Sequence, residues 1–248
     1  MFKDNNKVYK SALLVIGNEI LSGRTKDENI NYLAKNLSEI GVRLSEVRVI
    51  SDIESEIVGA VNELRKKYDY LFTTGGIGPT HDDITVESIA KAFGVKNVLN
   101  KEAYNLLLEY YGSDEKINSS RKRMAYMPEG STIINNSISK APGIKMKNVY
   151  ILAGVPSIMQ NMFEEVKRYL ISGEPIKSIE INCPIPEGEI AEKLKHLQED
   201  YCDVEIGSYP YFSGGIIGTM VVIRSVNQTL LKEVSKKTSN LIESFVEK

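Results

Sequence analysis

Apolar positions in the first two thirds of the chain alternate between short continuous runs and helical spacing. Residues 11–16 and 70–74 are runs that read as buried strands. Between them, Ile30, Leu33, Leu37 and Ile40 recur at helical spacing over 29–40, and Gly41 supplies the stop. Residues 42–50 alternate through Val42, Leu44, Val47 and Val49 as a strand does. Ile57, Val61 and Leu64 mark the apolar face of a helix over 55–67, capped by Ser51 or Asp52. A further helix spans 85–93 and closes at Gly94. This order predicts a three-layer α/β unit with a mostly parallel sheet, right-handed crossovers and helices on both faces. In such sheets ligands bind beyond the carboxyl ends of the strands. Two loops fall there, 17–25 and 75–83, both rich in glycine, acidic and hydroxyl residues.

The pattern then loosens. Helices are expected over 102–111 and 119–126, a strand over 132–134, a polar loop over 135–143, a strand over 149–152 and a helix over 157–170. Residues 172–175 read as a linker, so the expected domains are 1–172 and 173–248. Beyond it come a strand (178–183), a helix (187–198), two strands (204–207, 216–225) and a long helix (229–246). A βαββα order predicts a small α+β module of ferredoxin-like type.

Composition narrows the classes of function. The net charge of −2 is spread along the chain, so nucleic acid is not an expected partner. The opening residues 1–10 are polar, and no apolar run approaches a signal or membrane-spanning length. A cytoplasmic, membrane-free protein is expected. Cys183 and Cys202, with His81 and His196, lack the spacing of a zinc site and read as reduced thiols and isolated imidazoles.

Candidate chemistry centres on 73–85. Thr74, Gly75, Gly76, Gly78 and Thr80 lie in a strand-to-helix turn, where glycines let the backbone approach an anion and the helix N-terminus adds positive charge. Asp82 and Asp83 would repel a phosphate unless a divalent cation lies between them. The alternative is a helix cap, for which one aspartate suffices. Gly17, Glu19, Ser22, Gly23, Asp27 and Asn29 form a second set after the first strand, with Glu19 facing the glycine-rich loop and Asp27 either in the site or capping the next helix. Lys140 either contacts phosphate or sits on a surface turn with Gly143. The run Arg121-Lys122-Arg123 reads as a solvated helix face. Gly207 to Pro210 and Ser213 to Gly215 are expected to flank a hairpin, with Tyr209 or Tyr211 stacking on a flat ring or merely exposed.

The runs Gly17-Asn18-Glu19-Ile20-Leu21-Ser22-Gly23 and Thr73 to Thr85, with Asp27 and Asn29, resemble the molybdopterin-binding-like superfamily. Within it the chain is similar to the CinA N-terminal family and to the corresponding module of eukaryotic FAD synthase. Ala141-Pro142-Gly143, Gly154-Val155-Pro156 and Gly207-Ser208-Tyr209-Pro210 fit that likeness. The resemblance implies a metal-dependent nucleotide pyrophosphohydrolase acting on FAD or ADP-ribose, with Asp82, Asp83 and Glu19 holding Mg²⁺, Mn²⁺ or Co²⁺, and K⁺ as an accompanying ion. The alternatives it implies are molybdopterin binding or adenylylation, for which Asp52 and Asp83 match the family's carboxylates, and a nucleotide-binding regulatory module without turnover. Gly154 and Pro156 join the ligand-binding set on this basis, and a homo-oligomer is expected. The partner in every case is a nucleotide or pterin phosphate.

Overall fold

Strand β1 (Tyr9–Ile16) is buried along almost its whole length, and the two-residue period of a strand divides its side chains between two cores. Ala12, Leu14 and Ile16 enter one cluster, Leu13 and Val15 the other. The computed structural model describes residues 8–246, so the charged opening, 1–7, lies outside the described residues. After β1 come α1 (Asn18–Leu21), α2 (Asn29–Glu39), β2 (Val42–Ile50), α3 (Glu54–Lys67), β3 (Tyr70–Thr74), α4 (Thr85–Phe93), β4 (Asn97–Leu99) and α5 (Lys101–Tyr111). A 3₁₀ turn (Asp114–Lys116), α6 (Ser119–Arg123), β5 (Tyr126–Pro128), β6 (Thr132–Ile134), β7 (Gly143–Met146), β8 (Val149–Leu152) and α7 (Pro156–Val166) follow. Then come β9 (Lys177–Cys183), α8 (Glu187–Asp200), β10 (Glu205–Ser213), β11 (Ile216–Ser225) and α9 (Gln228–Val246). The chain divides into two compact units, Met1–Glu174 and Pro175–Lys248.

In the first unit the strand order is β2-β1-β3-β8-β7-β6. Strands β2, β1, β3 and β8 run parallel, and β7 is antiparallel to both neighbours. Ile57, Val61 and Leu64 of α3, Ile89 of α4 and Leu107 of α5 cover one face. Leu33 and Leu37 of α2 and Met159, Phe163 and Val166 of α7 cover the other, where Phe72 stacks on Tyr150 at 5.4 Å between ring centroids. Burial on both faces explains why β1, β3 and β8 read as unbroken apolar runs.

Three expectations change. The helix over 119–126 stops at Arg123, and Tyr126 starts β5, which pairs with β4. The polar loop over 135–143 ends one residue early: Gly143 opens β7, where a Cβ would meet the Ile151 carbonyl oxygen at 2.9 Å and the Met162 sulfur at 3.1 Å. Strands of three or four residues are too short to show a period. In the second unit the sheet order is β10-β11-β9, all antiparallel, over a core of Cys183, Ile190, Leu194, Val221, Ile223, Leu231 and Val234. The strand expected over 204–207 runs on to Ser213, so Gly207 to Pro210 lies inside β10. That strand is an edge, where proline's missing N–H costs no ladder bond. Gly214 and Gly215, at φ 60° and 82°, make the turn. No helix among the described residues is long and apolar enough to cross a membrane.

Candidate functional site

The parallel strands end level. Ile16 lies opposite Ile50, Val15 opposite Thr74, and Thr74 opposite Leu152. Four loops therefore meet at one edge of the sheet. The N–H of Gly17 donates to the Ile50 carbonyl (3.2 Å), and that of Gly75 to the Leu152 carbonyl (3.3 Å). Gly75 has φ +97°, and a Cβ there would lie 2.0 Å from the Ile16 carbonyl oxygen. Only glycine permits both the conformation and the close approach. A Cβ on Gly154 would come 3.3 Å from the Gly75 Cα, and the Gly154 carbonyl accepts from Asn29 Nδ2 at 2.8 Å. Gly17, Asn29, Gly75 and Gly154 are thus drawn together around the end of β1. Pro156 opens α7, where its missing N–H is harmless. Asn29 Oδ1 and the hydroxyls of Thr74 and Thr85 are buried with no hydrogen-bond partner among the described residues.

The aspartate pair does not cap α4, whose N-cap position is Ile84 with no side-chain bond. Both carboxylates turn back to Thr80 instead. Asp83 Oδ2 accepts from the Thr80 N–H (2.7 Å) and lies within bonding reach of its hydroxyl, while Asp82 Oδ1 lies 2.5 Å from the same hydroxyl. One hydroxyl has one proton to donate, so two carboxylates converge on a point that holds a single donor. The Thr80 hydroxyl, foremost, holds the Asp82 carboxyl below its ordinary value, aided by its own backbone N–H and by the charges of His81 and Arg123. Gly78 packs under Asp83, whose Oδ2 would lie 2.7 Å from a Cβ there. A phosphate cradle built on Gly75, Gly76 and Thr80 is corrected in part: the Gly75 and Thr80 N–H groups already have protein acceptors. Among the described residues, the N–H groups of Gly76, Ile77 and Gly78 have no protein acceptor.

Asp52 does not cap α3 either; that helix begins after Ile53 without a side-chain cap. Its Oδ2 accepts from the Asn18 N–H at 2.9 Å and so holds the start of α1. Asp27 takes the capping alternative, with Oδ1 accepting from the Ile30 N–H at 2.7 Å. Glu19 folds back over Gly17, where its carboxylate would meet a Cβ at 2.6 Å. Ser22 bonds the Glu19 carbonyl (3.3 Å), and Gly23 turns the chain at φ +71°.

Other expected residues lie elsewhere. Lys140 pairs with Glu109 at 3.0 Å, so its charge is directed along the surface turn. Gly143 is buried in β7, and Tyr209 stands half exposed on β10 of the second unit. Among the described residues no three His, Cys, Asp or Glu side chains gather in a way that could hold a metal ion. Glu19, Asp82 and Asp83 therefore do not form the expected three-carboxylate cluster, because Glu19 is turned toward its own loop.

Arg123 was hidden in the basic run. Its Nη1 donates to the Thr80 carbonyl (2.8 Å) and its Nη2 to the Asp83 carbonyl (3.0 Å). Beside these bonds lies an open pocket of about 450 Å³ between the loop (Ile77, Gly78, Asp83) and α6 with Tyr126. No local signal could have revealed the contact, since the partners are 40 and 43 residues apart.

A mostly parallel sheet flanked by helices, with glycine loops converging at its strand ends, defines a three-layer α/β class of protein. Residues 12–172 match the family described as "Probable molybdopterin binding domain", and the chain belongs to it. Residues 175–247 match "FAD synthase, middle domain". A protein of Archaeoglobus fulgidus is 36% identical over 198 residues, covering 80% of this chain and 84% of that protein. A probable FAD synthase of Caenorhabditis elegans is 31% identical over 95% of this chain, which spans 50% of that protein's length. The solved structure of the protein CinA from Thermoplasma acidophilum is 30% identical, with a TM-score of 0.61, over 65% of this chain and 99% of that one.

Proposed function

We propose that the first unit binds a phosphorylated pterin of the molybdopterin type at the carboxyl edge of its sheet, as a binder or adenylylating enzyme in molybdenum-cofactor biosynthesis. The family membership favours that ligand. The observation that carries the reading is the row of N–H groups at Gly76, Ile77 and Gly78 facing no protein acceptor at the end of β3. These donors would take the phosphate oxygens, and the buried, unpartnered Thr74 and Thr85 hydroxyls lie on either side of the same turn.

A second reading, metal-dependent hydrolysis of a nucleotide diphosphate such as FAD or ADP-ribose, is favoured by the convergence of Asp82 and Asp83 on Thr80. A divalent cation there would neutralise the two carboxylates, stabilise the leaving phosphate and lower the pKa of a bound water. In this scheme the chain's own residues align the diphosphate on the loop amides, and Thr80 orients the Asp82 and Asp83 carboxylates beside it.

The discriminating experiment is a thermal-shift and calorimetric screen of molybdopterin, FAD, ADP-ribose and pyrophosphate, each with and without Mg²⁺, Mn²⁺ or Co²⁺. Ligand at about 100 times its Kd raises stability by roughly 2.7 kcal/mol. Preferential stabilisation by molybdopterin, or AMP transfer to it from ATP, supports the first reading. Metal-dependent AMP release from FAD or ADP-ribose supports the second. Tight binding of FAD or ADP-ribose with no turnover makes the unit a regulatory module, and no binding of any compound removes all three.

A further inference from the structure

We infer that Arg123 is the positioning residue of the glycine-rich loop: its guanidinium holds the loop in the shape that presents its amides and aspartates to a ligand. Residues 75–83 contain three glycines, and Pro79, Thr80, His81 and Asp82 are exposed, so beyond Ile77, which packs on the core, little side-chain packing orders the turn. A segment of that kind opens locally unless a few bonds restrain it. The restraint comes from α6. One planar guanidinium reaches two carbonyls, those of Thr80 and Asp83, which bracket both aspartates. Thr80 in turn donates from its N–H to Asp83 and from its hydroxyl toward both carboxylates. Fixing the two carbonyls therefore fixes the carboxylates through Thr80. The forked geometry suits arginine, because a lysine ammonium is a point charge.

The neighbouring cations do other work. Arg121 lies over the Tyr111 ring (4.3 Å) and bonds the Lys116 carbonyl (2.6 Å), while Lys122 lies 5.5 Å above the Tyr104 ring. Arg123 also lines the 450 Å³ pocket together with Gly78 and Asp83. A molecule that fills this pocket thus touches the group that shapes the loop. For its ligand arm the inference rests on the proposed phosphate-binding role of this loop; for its positioning arm it does not.

The test compares Arg123→Ala, Arg123→Lys and Arg121→Ala with the wild-type chain by hydrogen exchange, and by titration with pyrophosphate in the presence of Mn²⁺. In Arg123→Ala the amides of Thr80, Asp83 and Thr85 are expected to exchange about tenfold faster or more, with β1 and β3 amides unchanged. The lysine variant should recover part of that protection, and Arg121→Ala should match wild type. Pyrophosphate–Mn²⁺ affinity should fall about tenfold in Arg123→Ala. Unchanged loop exchange overturns the inference, as does a rise spread equally over the sheet, which would mark a general structural role. Faster loop exchange with unaltered affinity overturns the link to the ligand. If wild type binds no pyrophosphate, the ligand arm of the inference is overturned, the pterin reading is still decided by molybdopterin, and the exchange arm decides the role of Arg123.

Discussion

Asp52, two residues beyond the end of β2, accepts a hydrogen bond from the backbone N–H of Asn18, at the start of the loop after β1, across 2.9 Å. Two loops separated by 34 residues are joined by this bond, and the end of β1 is held beside the end of β2. Asp52→Ala leaves that N–H without its carboxylate and should lower stability by about 1 kcal/mol, in the range of a lost helix cap. Asp52→Asn keeps an acceptor oxygen and should lose less than half as much. Urea unfolding of both variants checks this; equal losses would mean that the charge, rather than the bond, matters.

Gly75→Ala should be severe. The new Cβ would fall 2.0 Å from the Ile16 carbonyl oxygen at a φ of +97°, so β1 and β3 must separate or the turn must change. A loss of about 3 kcal/mol or more is expected, since strain and a backbone clash act together. Thermal denaturation measures it, and Gly23→Ala serves as a control, because that position has a positive φ but open space around it.

Thr80→Val removes the hydroxyl shared by the two aspartates while keeping the branched shape. The Asp82 carboxyl, held below its ordinary value mainly by that hydroxyl, should titrate at higher pH in the variant. Carboxyl-carbon NMR follows the titration directly. An unmoved Asp82 would assign the lowering to its backbone N–H and to His81 and Arg123 instead.

Asp83→Asn and Asp82→Asn should leave the melting temperature within a few degrees of wild type, because both side chains bond only within the loop. If the pair holds a cation against a phosphate, each variant should lose about tenfold or more in Mn²⁺-dependent ligand affinity, the equivalent of roughly 1.4 kcal/mol. Calorimetric titration with and without Mn²⁺ separates this from a metal-free contact.

Glu46 carries a pH signature. Lys67, Tyr68 and Arg48 all donate to it, and they pull its pKa from the ordinary 4.5 to about 2. Between those values the unfolded chain binds more protons than the folded one, so stability rises with pH. The contribution is complete above pH 4.5 and is lost as pH falls through about 2. Glu46→Gln should show a flatter loss of stability over this window, measured by denaturation at a series of acid pH values.

The candidate site was legible in part, and particular residues show why. Gly75, Gly76, Asp82 and Asp83 stand out because a glycine-rich turn after an apolar run is a local pattern. Asp27 bonds Ile30, three residues on, and spacing alone suggested that cap. For Asp52 the cap suggested by spacing is absent, and the partner lies on the neighbouring strand's loop. Arg123 looked like one of three equivalent cations until the fold set it against the turn after β3. Glu19 was expected to face the aspartates but packs over Gly17. For Asp52 and Arg123 the outcome depends on which strands are neighbours and how their ends align.

By itself the sequence determined the elements and their sidedness: apolar runs for strands buried on both faces, helical spacing for the flanking layers, glycines where the chain must turn. These follow from interactions among residues a few positions apart and from the need to bury apolar surface. Only the tertiary structure decided that β1 lies between β2 and β3, that Gly75 presses against the Ile16 carbonyl, that the Gly75 amide is already bonded to Leu152, and that Arg123 bonds the Thr80 and Asp83 carbonyls. Those are contacts between segments distant in the chain, and their geometry is set by packing, which no local period encodes.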